Sequence, residues 1–361
     1  MKTITVDARM LESSGIGTVI RNILKRIIPC MPDITFYLLG RPEIIKNYPW
    51  LMDANVRCVP CKSAIYTISE QLELAWKIPK DTDLLWVPHY NIPVFYSGKM
   101  LVTVHDVFHL AMPQFVDGAL KKFYAKIMFQ AVAARATHVI CVSHFTASEL
   151  QHFTGISSDK VSVIYNGVDE FWNTSLQQKQ RIFIKPHILY AGNVKPHKNL
   201  NTLVRAFLDV MDRIPHSLVI VGKRDGFLTG DAEVGQLAKQ AGNRISFTGF
   251  VSDEELKNYY HYADLFVFPS LYEGFGLPPL EAMASGCREV LCSDIPVLRE
   301  IYGNSVEYFR ATDEQELASK IICKVTEHSG TFGKNCCNSY EWNTASVKYL
   351  SIFKQLLRYK L

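Results

Sequence analysis

What the chain lacks narrows it first. No apolar run approaches the roughly 18–20 residues a membrane-spanning helix needs, and there is no short-period repeat or low-complexity block. Neither sign of charge dominates: 39 Lys and Arg face 35 Asp and Glu, for a net charge of +4. That balance argues against a dedicated nucleic-acid binder and leaves room for a local basic patch. The first residues run directly into a strand-like pattern with no signal-peptide core, so the cytoplasm is the expected location. The dinucleotide fingerprint G-x-G-x-x-G is missing, because Gly15-Ile16-Gly17 falls well after the first strand and has no third glycine. The Walker lysine pattern is absent too. Cys58 and Cys61 have redox spacing but no second Cys or His pair to complete a metal site, and Cys336-Cys337 lies in a polar segment. The nine cysteines are expected to be mostly small buried hydrophobes in a reducing compartment.

What is present is an α/β chain. At 361 residues, 48% hydrophobic and 20% charged, it is large enough for two domains with their own cores. Strand-like and helix-like segments alternate almost without interruption, which points to parallel sheets. Strands are expected at 3–6, 35–39, 56–59, 84–87, 101–104, 138–142 and 161–164. Helices are expected at 18–28, after a loop ending in Gly15-Ile16-Gly17, and at 117–135, with another beginning at Ser143. Asn166-Gly167 and the polar stretch after it break the pattern. A second series follows with strands at 188–191, 218–221, 245–247, 265–268 and 289–292, then a helix-patterned tail from Trp342. The expected division is 1–168, 169–341 and a closing helix over 342–361.

The stretch from Tyr272 to Glu281 is the strongest local signal. An apolar strand runs into Glu273-Gly274-Phe275-Gly276-Leu277, and then Pro278-Pro279-Leu280-Glu281 opens a helix, with proline at its first positions. Glycines let backbone N–H groups approach a bulky ligand. A helix N-terminus favours a phosphate, and two carboxylates bracket the turn. Such a cradle suits a ligand with both a diphosphate and hydroxyl groups. The earlier strand ends repeat the theme: Tyr190-Ala191-Gly192-Asn193-Val194-Lys195-Pro196-His197-Lys198, then Gly222-Lys223-Arg224, then Gly249-Phe250-Val251. Basic groups at the carboxyl edge of a parallel sheet sit where α/β ligands bind. Taken singly, each would be an ordinary solvated turn.

Glu273 to Glu281 resembles the E-x7-E motif of the retaining glycosyltransferases with the GT-B fold, family four of the sequence classification. Similarity extends along most of the chain. Ala8-Arg9 through Gly17 resembles that family's N-terminal glycine loop, and Thr103-Val104-His105-Asp106 its His-Asp strand end. Val142-Ser143-His144-Phe145-Thr146 and the segment from Val163 to Asp169 resemble the elements leading to its hinge. The resemblance implies two Rossmann-like doubly wound domains facing a cleft. The first would be acceptor-binding and the second nucleotide-sugar-binding, with the C-terminal helix packing back on the first.

Roles follow from the resemblance alone. Glu281 would accept hydrogen bonds from ribose hydroxyls. Glu273 would lie near the transferred sugar beside the amides of Gly274, Phe275, Gly276 and Leu277. Lys198 would contact the diphosphate and stabilise its departure. His105 would orient the donor sugar, Gly15 and Gly17 would approach the phosphates, and Phe250 and Val251 would touch the base through backbone groups. Asn193 stands where the family usually has an arginine, so Lys195 or His197 would carry part of that charge, with Lys223 at the next strand end. No metal or other cofactor is implied. Asp81-Thr82-Asp83, the one Asp-x-Asp, precedes a strand and reads as a solvated turn.

The implied reaction is hexosyl transfer from a nucleotide sugar to a saccharide or lipid-linked saccharide, as in cell-surface polysaccharide synthesis. GDP-mannose is the expected donor. The alternatives are a UDP-sugar or dTDP-rhamnose donor, a nucleotide-sugar epimerase on the same fold, or a nucleotide-sugar-binding scaffold without turnover. The segment from Ala119 carries Lys121, Lys122 and Lys126 among Phe123, Tyr124, Ile127, Met128 and Phe129. A helix of that composition either lies on an anionic membrane surface or packs as a core helix with a solvated lysine face. His109 is a candidate neighbour of the acceptor.

Overall fold

The structure, a computed structural model, describes residues 2–53, 55–177, 180–222, 232–327, 334–337 and 339–358. The chain divides into two compact units, Met1–Gly167 with Trp342–Leu361, and Val168–Glu341.

The first unit holds seven strands: β1 (Lys2–Asp7), β2 (Ile34–Gly40), β3 (Val56–Pro60), β4 (Leu84–Val87), β5 (Met100–Val104), β6 (His138–Cys141) and β7 (Val161–Val163). Every pairing is parallel, in the order β3-β2-β1-β4-β5-β6-β7. The second unit repeats the plan with β8 (His187–Ala191), β9 (Ser217–Val221), β10 (Ile245–Gly249), β11 (Leu265–Phe268), β12 (Val290–Ser293) and β13 (Glu307–Phe309). Their order is β10-β9-β8-β11-β12-β13. Both sheets are therefore doubly wound, and the winding reverses between β1 and β4 in one and between β8 and β11 in the other. Beyond the carboxyl ends of such a reversal the flanking loops part and leave a crevice. The central strands are buried along their length, the mark of a parallel sheet covered on both faces.

The C-terminal helix Trp342–Leu357 belongs to the first unit because of what it buries. Trp342, Ala345, Tyr349, Phe353 and Leu357, spaced three to four apart, join one core with Ile4, Val6, Ile20, Ile23 and Trp86. Trp86 meets Tyr349 and Phe353 edge-on, each with ring centroids 5.6 Å apart. The Tyr349 hydroxyl shares a buried hydrogen bond with Thr103 Oγ1 at 3.1 Å.

Two sequence expectations need correction. The helix expected from Thr18 begins at Ser14, so Gly15 and Gly17 lie in its first turn and not in a loop before it. The Gly17 amide donates to the Ser13 carbonyl at 2.5 Å, closing the turn that glycine had been expected to break. Strand β13 was not anticipated; it is only three residues long, too short for alternation to show. The helix expected at 117–135 spans Ala119–Arg135. The one expected from Ser143 starts as read, with the Ser143 side chain accepting from the Thr146 amide at 3.0 Å.

All nine cysteines are free, Cys58 exposed and Cys61 buried. Asp81 is an exposed turn residue as read, whereas Asp83 accepts from Lys2 Nζ at 2.8 Å and from the Thr3 amide at 2.9 Å, pinning the approach to β4 against β1.

Candidate active site

In the second unit the residues singled out by sequence gather at the winding reversal. The loop after β8 and the loop after β11 are tied by the Leu271 amide, which donates to the His197 carbonyl at 2.8 Å. Lys198 from the first loop reaches Glu273 in the second, Nζ to Oε1 at 2.5 Å, and both side chains keep part of their surface open. The Lys198 ammonium also lies 5.9 Å from the centre of the Phe268 ring. A cation and a carboxylate are thus held side by side over the strand ends, one able to meet a phosphate and the other a hydroxyl.

Asn199, which the sequence reading passed over, keeps this arrangement in place. It adopts left-handed backbone (φ 57°) and its Nδ2 donates to the carbonyls of Pro269 (3.0 Å) and Ala311 (2.7 Å). One amide side chain therefore joins three loops. Asparagine tolerates that backbone region better than most residues, which is the only local signal it offers.

The glycine turn is built by sterics. Gly276 sits at φ 89°, and a Cβ there would lie 2.9 Å from Leu298 Cδ2. Its carbonyl accepts from the Tyr302 hydroxyl, and the helix Leu277–Ala284 starts immediately after it. Gly274, Phe275 and Gly276 are buried and Leu277 is half-buried, so the turn is a rigid wall. Behind it Glu281 is half-buried with the Tyr260 hydroxyl beside it. Burial pushes its carboxyl up to about 8, the Asp253 and Asp169 carboxylates add to that, and Tyr260 works against it.

The neighbouring strand ends carry the other expected groups. The Gly192 amide donates to the Val221 carbonyl at 2.9 Å and the Gly222 amide to the Gly249 carbonyl at 3.2 Å. A Cβ on Gly222 would lie 2.2 Å from the Gly192 carbonyl oxygen. These glycines let three strand ends close on one another. Asn193, Lys195 and Phe250 are exposed and Val251 half-buried. Lys223 lies outside the described residues.

In the first unit the winding reversal holds a buried charge network. Arg9, just past β1, grips Asp7 through Nε–Oδ1 (2.8 Å) and Nη2–Oδ2 (2.6 Å), and its Nη2 also meets Glu70 Oε1 at 2.6 Å. His89, past β4, reaches Asp7 Oδ2 at 3.0 Å. Its Nδ1 accepts from the Asn91 amide, so Nε2 carries the proton donated to Asp7. Asn91 donates to Glu70 Oε2 at 2.7 Å. Burial drives the Asp7 carboxyl upward, but Arg9 and His89 outweigh it and hold the group well below the usual carboxylate range. Asp7 with Arg9 and His89 with Asn91 are local pairs, but what joins them to each other and to Glu70 was not legible in the sequence, because those contacts link segments far apart in the chain.

His105 follows β5. Its Nε2 donates to the Pro88 carbonyl at 2.8 Å, which leaves Nδ1 as the acceptor nitrogen. Burial pushes its pKa down to about 4, against the Pro88 bond and Asp106, so the ring is neutral near pH 7. The two early glycines differ. A Cβ on Gly17 would lie 2.5 Å from the Leu11 carbonyl oxygen, whereas one on Gly15 would meet nothing within 4 Å. Chain packing explains Gly17 and does not explain Gly15.

Doubly wound sheets with these strand-end loops define the GT-B class, and comparison with known proteins agrees. The family model for glycosyl transferases group 1 matches residues 174–328, and that for glycosyltransferase family 4 matches residues 73–170. The chain is similar to the O-antigen chain mannosyltransferase RfbU of Salmonella typhimurium, 31% identical over 238 residues. That match covers 66% of this chain and 64% of the relative. It is 25% identical over 323 residues to O-antigen chain mannosyltransferase B of Escherichia coli, covering 84% of this chain and 82% of that one. In fold it is similar to a glycosyltransferase from Rickettsia africae (TM-score 0.73, 19% identity, 99% of each chain). It is also similar to Anabaena HepE solved with UDP-glucose (TM-score 0.75, 18% identity, 98% of this chain and 100% of that one). The chain has the GT-B fold and is related to the bacterial mannosyl- and other sugar transferases of surface-polysaccharide pathways.

Proposed function

We propose that the chain transfers a hexose from a nucleotide sugar to a saccharide or lipid-linked saccharide of a cell-surface polysaccharide, with retention at the anomeric carbon. The observation that carries this reading is the Lys198–Glu273 pair at the winding reversal, standing beside the glycine turn and the N-terminus of Leu277–Ala284. Lys198 and the turn amides stabilise the departing diphosphate; Lys195 and Asn193 supply further contacts at the same loop. Glu273 holds hydroxyls of the transferred sugar, and Glu281 the ribose. His105, neutral with Nδ1 accepting, orients the donor sugar. Gly15 leaves room for a phosphate where a side chain would fit without strain. Residues near Phe250 and Val251 meet the base. No divalent ion has a part in this reading.

The donor divides the support. The names of the curated relatives favour mannose, for which GDP-mannose is the expected carrier. The solved complexes on this fold hold UDP, glucose or UDP-glucose, and favour the UDP-sugar alternative. A thermal-shift titration separates them, since a ligand at 100 times its Kd stabilises by about 2.7 kcal/mol. A shift with UDP-hexoses and none with GDP-mannose removes the mannose reading; the opposite pattern removes the UDP reading. Donor turnover without acceptor that yields an epimer would convert the reading to an epimerase.

Membrane association is part of the proposal. The helix Ala119–Arg135 buries Ala125, Met128, Phe129 and Val132, and exposes Leu120, Phe123 and Ile127 with Lys121, Lys122 and Lys126 beside them. It bears no acidic residue. The neighbouring helix Ile68–Lys77 exposes Ile68, Leu72 and Trp76 on one stripe, Trp76 at 85%. Apolar stripes with lysines suit the surface of an anionic bilayer, each lysine adding about 1 kcal/mol. No described helix is long and apolar enough to cross a membrane. Flotation with anionic liposomes, lost in high salt, is the expected result; equal flotation with neutral liposomes would contradict it.

A further inference from the structure

Tyr66 is a bulky residue in a backbone region that bulky residues avoid. It sits at φ 69°, next to Thr67, the N-cap of the helix Ile68–Lys77. Three contacts on one carboxylate hold it there. Glu70 is fully buried, and its Oε2 accepts from the Tyr66 amide at 2.6 Å and from Asn91 Nδ2 at 2.7 Å, while Oε1 meets Arg9 Nη2 at 2.6 Å. The network at the β1–β4 reversal therefore extends to the backbone of a residue that no core position needs. Tyr66 as a residue is 46% exposed. Strain held by its surroundings at an exposed side chain is a feature of ligand sites.

The ring is not isolated. Its centroid lies 6.0 Å from that of Tyr90, which stacks on Phe129 at 4.3 Å and lies 5.6 Å from the His109 ring. The Tyr90 hydroxyl is 3.4 Å from His109 Nδ1. The two rings are tilted 32° to each other, and burial with the nearby Asp106 carboxylate pushes both phenols up. Asp106 directly follows His105. The surface thus offers aromatic faces edged by two phenols, an imidazole and a carboxylate. Aromatic faces accept the C–H face of a pyranose, and the polar rim accepts its hydroxyls. The carboxylate disfavours a diphosphate at this place, so the occupant is an uncharged, hydroxyl-rich ring.

We propose that Tyr66 and Tyr90, with His109 and Asp106 at the rim, form the subsite for the acceptor's sugar ring, and that the Arg9–Glu70 network exists partly to hold Tyr66 in its strained position. This rests on the glycosyltransferase reading and names where that reaction takes its acceptor.

The probe is a panel of octyl α-hexopyranosides, followed by saturation-transfer NMR and by acceptor kinetics on the full chain. The wild type is expected to transfer saturation to the ring C–H protons of at least one glycoside; no transfer to any of them overturns the subsite. Tyr66→Gly removes the ring and suits the left-handed backbone. It is expected to keep or raise the melting temperature, abolish the saturation transfer, and raise the acceptor KM at least tenfold with the donor KM unmoved. Tyr66→Phe, which keeps the face, is expected to stay within about threefold of wild type. A lowered melting temperature in Tyr66→Gly would make Tyr66 a structural tie, and an acceptor KM within twofold of wild type would overturn the proposal. Nucleoside diphosphate release by the wild type without acceptor is measured alongside. Its absence with every nucleotide sugar would count against the glycosyltransferase reading itself, whereas its presence with an unchanged acceptor KM would count against the subsite alone.

Discussion

The two winding reversals solve one problem in different ways. In the second unit the charged groups are few, partly open to solvent and carried on a rigid glycine turn: Lys198 and Glu273 face each other at 2.5 Å, with Gly276 locking the backbone beside them. In the first unit the charges are buried and bonded to one another, Arg9 against Asp7 and Glu70 with His89 and Asn91 behind. Open charges can still bind a ligand. Buried, mutually satisfied charges mainly hold backbone and aromatic groups in place. The contrast assigns anion and hydroxyl chemistry to the second unit and positioning to the first.

That contrast can be broken by substitution. Arg9→Met should cost about 3–5 kcal/mol of stability, because it leaves two buried carboxylates without their partner; a melting curve or denaturant titration checks it. A loss below about 1 kcal/mol would mean the network is not structural. Lys198→Ala should leave the melting temperature near wild type and lower kcat about a hundred- to thousand-fold, the usual cost of removing one group that stabilises a developing anion. Gly276→Ala combines a left-handed backbone with a clash and should cost about 1–3 kcal/mol, read by the same melting curve.

The proton on Glu281 gives a smaller effect. Its pKa is raised to about 8 in the free protein, so between the ordinary carboxylate range and pH 8 the folded chain holds more proton than the unfolded one. Stability from this group therefore falls as pH rises through that window. Ribose hydroxyls that donate to Glu281 favour its ionised form. Nucleotide binding at pH 7 should then release a fraction of a proton, visible as a dependence of the calorimetric heat on buffer ionisation enthalpy, and Glu281→Gln should abolish it. The smallest effect is expected from Gly15→Ala, which should add up to about 1 kcal/mol of stability as a helix substitution while raising the donor KM. An unchanged donor KM would remove Gly15 from the phosphate site.

Sequence carried the second unit's site further than the first's, for a physical reason. The turn from Glu273 to Glu281 is local: its glycines, prolines and carboxylates act within one strand-turn-helix and can be read where they stand. The pairing of Lys198 with Glu273, 75 residues apart, needed the sheet order to bring two loops together. The Asn199 brace, reaching 112 residues to Ala311, had no local signature beyond residue type. In the first unit nearly everything is of the second kind. Arg9 and His89 meet on Asp7 because β1 and β4 are neighbours, and Glu70, which bonds the nearby Tyr66 amide, is itself fixed by the distant Arg9 and Asn91. The start of the Ser14–Ile27 helix was misplaced because glycine reads as a breaker, whereas here the Gly17 amide bonds the Ser13 carbonyl and the missing Cβ avoids the Leu11 carbonyl.

The most direct measurement is release of nucleoside diphosphate from a panel of GDP- and UDP-hexoses by the wild type and by Glu273→Ala. Release by the wild type from one class of donor, with loss of at least a hundredfold in Glu273→Ala at an unchanged melting temperature, is the predicted result. Full release by Glu273→Ala, or none by the wild type from any donor, would contradict the assignment of this turn as the centre of the reaction.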